Sequence, residues 1–190
     1  NDITDFDVVT WIKAEMRLML DEEIARACLV GDGRLASSDD KINETNIRPI
    51  WTDEDLFTIK ALVSVKSTDT DDVKAKNFIK TAIKARKNYK GSGTPTLYTT
   101  ADVITDCLLI EDGVGRRIYN TINDLATALR VSKIVECEVM EGLSRNDSGT
   151  TKNLMGIIVN PSDYNIGADK GGSVNMFDDF DIDYNQQKYL

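Results

Sequence analysis

The stretch Asp5-Phe6-Asp7-Val8-Val9-Thr10-Trp11-Ile12-Lys13-Ala14-Glu15-Met16-Arg17-Leu18-Met19-Leu20-Asp21-Glu22-Glu23-Ile24-Ala25-Arg26-Ala27-Cys28-Leu29-Val30 governs how the rest of the chain is read. Trp11, Met16, Leu18, Met19, Ile24, Ala27 and Cys28 stand among charges, and neither proline nor glycine interrupts them. The pattern predicts one long amphipathic helix of about 25 residues, or roughly 38 Å at 1.5 Å per residue. Asp5 or Asp7 suits its start, and Gly31-Asp32-Gly33 suits its end, because glycine accepts the left-handed conformation of a helix C-terminus. In a chain of 190 residues such a helix is expected to project as a spine. No strict heptad seam persists along it, which weighs against a coiled-coil strand.

Beyond the glycines, Arg34 to Asn46 is polar and loop-like around Ser37-Ser38-Asp39-Asp40, and apolar groups return at Ile47-Arg48-Pro49-Ile50-Trp51. Leu56 to Val65 predicts a short strand or strand pair. From Asp71 to Tyr89, Ala75, Phe78, Ile79, Ala82, Ile83 and Arg86 follow helical spacing, so a second helix is expected there, ending at Gly91-Ser92-Gly93. Its other side carries Lys76, Lys80, Lys84 and Lys87, read foremost as a solvated face and secondarily as a patch for a partner or nucleic acid.

Leu97-Tyr98-Thr99 predicts a buried strand, and Thr100-Ala101-Asp102-Val103 a capped helix start running to Leu109 or Ile110. After the turn Glu111-Asp112-Gly113-Val114-Gly115, a further helix is expected from Thr121 to Leu129, with Thr121 and Asp124 as its cap. Ile134 to Met140 alternates like a half-buried strand, and Met155 to Val159 reads as a buried one. Gly167 to Gly172 is a glycine-rich loop, and Phe180, Ile182 and Tyr184 alternate with Asp179, Asp181 and Asp183 as in a strand with one wet face. Helices and strands intermingle without regular βαβ repetition, so the fold class is α+β.

With 41% hydrophobic and 29% charged residues, the chain has the composition of a soluble globular protein that can build one good core. No apolar run approaches the roughly 20 residues that span a bilayer, and Asn1-Asp2-Ile3-Thr4-Asp5 lacks the basic start of a signal peptide, so a soluble intracellular protein without membrane contact is expected. A net charge of −9 repels polyanions, which leaves nucleic-acid contact local and non-specific. Cys28, Cys107 and Cys137 are odd in number and far apart, and read as reduced, small, buried apolar residues. The absence of histidine removes Ser-His-Asp and Cys-His nucleophiles and His-ligated zinc.

Two stretches invite chemistry. Asp178-Asp179-Phe180-Asp181-Ile182-Asp183 offers hard oxygen ligands for a divalent cation, but the calcium-loop pattern fails because Tyr184 stands where glycine is needed and Leu190 where a bidentate glutamate belongs. Gly167-Ala168-Asp169-Lys170-Gly171-Gly172-Ser173 has its lysine before the second glycine and no helix pattern after it, so it reads as a turn and not a phosphate loop. Arg116-Arg117 suits a surface or intersubunit salt bridge. No catalytic, cofactor-binding or metal-ligating residue is assigned, and the expectation is a protein that is not an enzyme.

Three fragments taken in order resemble the major capsid proteins of tailed bacteriophages and prophages that share the Hong-Kong-ninety-seven fold. They are Met16-Arg17-Leu18-Met19-Leu20-Asp21-Glu22-Glu23 leading into Leu29-Val30-Gly31-Asp32-Gly33, then Asp112-Gly113-Val114-Gly115-Arg116-Arg117-Ile118-Tyr119, then Asp163-Tyr164-Asn165-Ile166-Gly167-Ala168-Asp169-Lys170-Gly171-Gly172 running into Phe177 to Leu190. The resemblance implies a spine helix of a peripheral domain at 1–30, an axial domain at 31–168 with a central mixed β-sheet flanked by helices, and a return to the peripheral domain at 169–190.

It implies a shell subunit that self-assembles into pentamers and hexamers around phage DNA in the host cytoplasm, with portal, scaffold or maturation protease as further partners. Arg116, Arg117, Lys80, Lys84 and Trp11 are the candidate subunit-interface residues. The family's N-terminal arm, extended loop and closing strands find no counterpart, so a truncated core fragment is expected. Cross-linking, which some members direct to an asparagine near the place of Asn185, is not expected. The alternatives are an encapsulin-type compartment, a small divalent-metal enzyme or binding module using the C-terminal aspartates, and a helical module binding partners through the lysine face.

Overall fold

The computed structural model describes the backbone of residues 5–147, 149–165, 178–181 and 186–189, and the side chains of 8–147 and 149–165. Helix α1 spans Asp5–Leu29, as the uninterrupted run of helix formers requires. It stops at Gly31, which takes φ +91° and whose N–H donates to the carbonyls of Arg26 and Ala27. The last carbonyls of α1 are satisfied from a distance: Ile50 N–H donates to Cys28 O at 2.9 Å and Trp51 N–H to Leu29 O at 3.1 Å. The apolar return at residues 47–51 thus seats the end of the spine.

Helix α2 covers Asp71–Ala85 and continues as one 3₁₀ turn over Arg86–Asn88. Ala75, Phe78, Ile79 and Ala82 are its buried face, the predicted spacing, while Ile83 stays 39% exposed. Strand β1 (Thr96–Thr99) leads into α3 (Ala101–Leu108), then α4 (Ile122–Leu129) and β2 (Ile134–Glu136). Strands β3 (Ser144–Asp147) and β4 (Thr150–Asn153) form a polar hairpin, and β5 (Gly156–Val159) returns to the core. Strands β6 (Asp178–Asp181) and β7 (Gln186–Tyr189) pair antiparallel with each other.

The central sheet has the order β2-β1-β5 and is mixed: Leu97 is opposite Ile134 in a parallel pair and opposite Ile158 in an antiparallel one. Buried side chains from α2, β1, α3 and α4, with Ile110 and Val131, make one core. Strand β5 comes close because Gly156 has no side chain. A Cβ there would lie 3.0 Å from Leu97 Cδ1 and 3.2 Å from Tyr98 O. The class is α+β, with four helices and small sheets.

Several expectations change. Leu56 to Val65 forms no strand, because no neighbouring chain pairs with it, and Leu56, Phe57, Ile59 and Leu62 remain exposed. The strand expected over Ile134–Met140 stops at Glu136, where a 3₁₀ turn over Glu138–Met140 takes over and Val139 turns outward. Thr100 holds the N-cap position of α3 without a side-chain capping bond. All three cysteines are free, but only Cys107 is buried, whereas Cys28 and Cys137 are half-buried. The glycine loop 167–172 and the side chains of 178–185 lie outside the described residues. No helix among the described residues is long and apolar enough to cross a membrane.

Candidate functional site

The candidate interface residues fall in two places. Lys80 and Lys84 are exposed on α2, and the segment that runs back past them is the turn bearing Arg116 and Arg117. That turn is built by Asp112, whose carboxylate accepts the N–H of Val114 at 2.8 Å and of Arg116 at 3.0 Å. These backbone bonds, Arg116's first, hold its carboxyl below the usual range. The ends of the turn close where Asp112 N–H donates to Arg116 O and Ile118 N–H to Ile110 O. Arg116 Nε lies 3.3 Å from Asp112 Oδ2 with its side chain 78% exposed, a pair that adds little to stability and leaves the guanidinium available.

Between α2 and this turn runs an open groove of about 370 Å³. Ile83, Ile118 and Tyr119 line its apolar side, and Lys76, Lys80 and Lys84 its rim. Lys76 is paired with Asp72 at 2.7 Å. Lys80 and Lys84 have no carboxylate partner among the described residues. Lys80 and Lys84 therefore share the groove with Ile118 and Tyr119, the residues that follow Arg116 and Arg117 in sequence. Trp11 stands apart on α1, 66% exposed, and Ile12, Met16, Leu18, Met19 and Ile24 of the same helix are exposed too. The sequence reading expected α1 to be amphipathic; its apolar residues instead go round the helix, and among its described side chains only Ala27 is buried, beside the capping segment.

Asp32 went unrecognised in the sequence. Its side chain is buried and accepts Lys41 Nζ, Ile42 N–H at 2.7 Å and Arg34 N–H at 3.1 Å. Burial pushes its pKa up, but these donors outweigh that and hold the carboxyl well below the usual range. It fixes the loop immediately after α1. Only its place between two glycines hinted at this. Asp163 has a comparable role, accepting Ser92 Oγ, Ser92 N–H at 2.9 Å and Tyr89 Oη at 3.2 Å. Its lowered pKa, owed first to the Ser92 hydroxyl, makes it a poor base for that serine, and the group acts as a clamp between two turns.

A second recess of about 420 Å³ lies between residues 55–62 and the β3–β4 hairpin and holds the pairs Lys60–Asp55 and Lys152–Asp147, each within its own segment. Burial pushes the Cys107 thiol up to about 12, so it stays protonated and inert. Among the described residues no group of three or more Cys, Asp or Glu could hold a metal ion. Comparison with known protein families, curated proteins and solved structures finds no match for this chain.

Proposed function

We propose that this chain is a self-assembling shell subunit of the major-capsid type with the Hong-Kong-ninety-seven fold, from a tailed phage or prophage. In this reading residues 1–30 form the peripheral spine, 31–168 the axial domain and 169–190 the return, and the assembled product is a closed shell in pentamers and hexamers. The observation that carries it is α1: a helix of 25 residues on which Val8, Trp11, Ile12, Met16, Leu18, Met19, Leu20 and Ile24 are exposed. A monomer gains nothing from such a surface, whereas a subunit whose neighbours cover it gains about 25 cal/mol for each Å² removed from water. The sequence fragments quoted above and the mixed sheet flanked by helices support the same reading.

Electron microscopy of the protein expressed in bacteria from its own gene tests it. Capsomer rings or icosahedral shells are the expected result, with nucleic acid inside when the packaging machinery is present. Shells that enclose a protein cargo instead would place the chain with encapsulin-type compartments. Monomers at every concentration would overturn the proposal.

A further inference from the structure

Two surfaces of this chain are unpartnered and opposite in charge. Residues 71–90 hold seven Lys and Arg against two Asp, in a chain with 23 against 32 overall. Three of them, Lys76, Lys80 and Lys84, line the α2 groove, where Lys80 and Lys84 have no carboxylate partner among the described residues and stand beside Ile83 and the 49% exposed Ile118. Helix α1 is the converse, with six Asp and Glu against three Lys and Arg. Trp11, Glu15, Leu18 and Glu22 recur at i, i+4, i+7 and i+11, so apolar and acidic side chains alternate along one exposed face. The side chains of Glu15 and Glu22 have no ion pair or hydrogen bond among the described residues. Glu15 and Glu22 are separated by roughly 10 Å of helix and Lys80 and Lys84 by roughly 6 Å, at 1.5 Å per residue, a difference that the flexible four-carbon lysine stems span.

We infer that the α2 groove seats helix α1 of a second copy of this chain. The inference rests on the shell-subunit reading and names one of its contacts: Trp11 and Leu18 cover Ile83 and Ile118, while Glu15 and Glu22 face Lys80 and Lys84. The groove is a helix-in-groove site, with side chains one helical turn apart as anchors. Because α2 packs chiefly against α3 and α4, the groove and α1 are different parts of the molecule, and the contact is head-to-tail. Repeated, such a contact closes into a ring when its rotation divides a full turn. A symmetric α1–α1 pair would cover the apolar row but bring the carboxylates of the two copies together, at an electrostatic cost.

The test uses two charge-reversed proteins, Lys80→Glu/Lys84→Glu and Glu15→Lys/Glu22→Lys, followed by sedimentation velocity over a range of concentration. All four positions are exposed, so circular dichroism is expected to give unchanged melting for both. Each variant alone is expected to associate about tenfold or more weakly than the parent, and their equimolar mixture to recover association, since every α1 then finds a groove of opposite charge. A lysine-reversed protein that associates like the parent would overturn the groove while leaving the shell reading intact, and would point to the symmetric pair. A parent protein that never associates would overturn both.

Discussion

The body built from α2, α3, α4 and the central sheet and the spine α1 put apolar side chains to opposite uses. In the body, Leu97, Ile110, Leu125 and Leu129 are withdrawn from water and pack on one another, so its apolar surface goes into the stability of the monomer. In α1, Trp11, Leu18 and Met19 stay in solvent, where the proposed assembly would cover them. Under the proposed shell reading, stability and association are thus carried by separate residues. The junction at Gly31, Asp32 and Ile50 joins the two regions without mixing them.

The largest effect belongs to the body. Leu129 is 0% exposed at the end of α4, and Leu129→Ala is expected to cost about 3 kcal/mol through lost burial and the cavity left behind. Chemical denaturation would read it as a lower midpoint with an unchanged slope. A cost below about 1 kcal/mol would mean that the core is not the close-packed unit described above.

Next comes the junction. Asp32→Ala strips Lys41, Ile42 and Arg34 of their buried acceptor and is expected to cost about 2 kcal/mol at pH 7. Because the folded pKa of Asp32 is depressed, its contribution is complete above the unfolded value of about 3.9 and disappears as pH falls through the folded value. The gap between parent and variant should therefore be flat from pH 7 to 5 and narrow below about pH 4. A gap that widened on acidification would contradict an ionised, well-donated Asp32.

The cap of α4 contributes less. Thr121 Oγ1 accepts Asp124 N–H at 3.2 Å, and Asp124 Oδ2 accepts Thr121 N–H at 3.0 Å, so Thr121→Ala is expected to cost about 1 kcal/mol in thermal unfolding. This box was legible in the sequence because both halves of it lie within four residues. The buried face of α2 and the strands at Leu97 and Ile157 were legible for the same reason, since periodicity is local.

What could not be read depended on partners distant in sequence. The apolar residues of Leu56 to Val65 suggested a strand, but alternation only makes one side apolar; a strand also needs a neighbour to pair with, and none arrives. The β3–β4 hairpin was missed because Ser144 to Asn153 is polar on both faces and lacks the alternation that marks a half-buried strand. Asp32 looked like turn punctuation, and its three donors come from residues two to ten positions on, converging only once the loop closes. The site was legible in part. Lys80, Lys84, Arg116 and Arg117 stood out as charges, but the apolar groove that Lys80 and Lys84 line depends on how the Ile110–Tyr119 segment returns to α2.

The smallest expected effect is the one that most sharpens the contrast between the two regions. Leu18 is as apolar as Leu129, yet it lies 52% exposed on α1. Leu18→Ser deletes apolar surface that the monomer never buries, so its effect on unfolding should stay within about 0.5 kcal/mol, a sixth of that at Leu129. Its effect on association should nevertheless be plain, because the proposed contact buries that surface. If Leu18→Ser lowered the melting temperature as strongly as Leu129→Ala, α1 would be packed against its own body and the division between stability and association would fall. If it altered neither melting nor association, the other exposed residues of α1 would have to carry the contact without it.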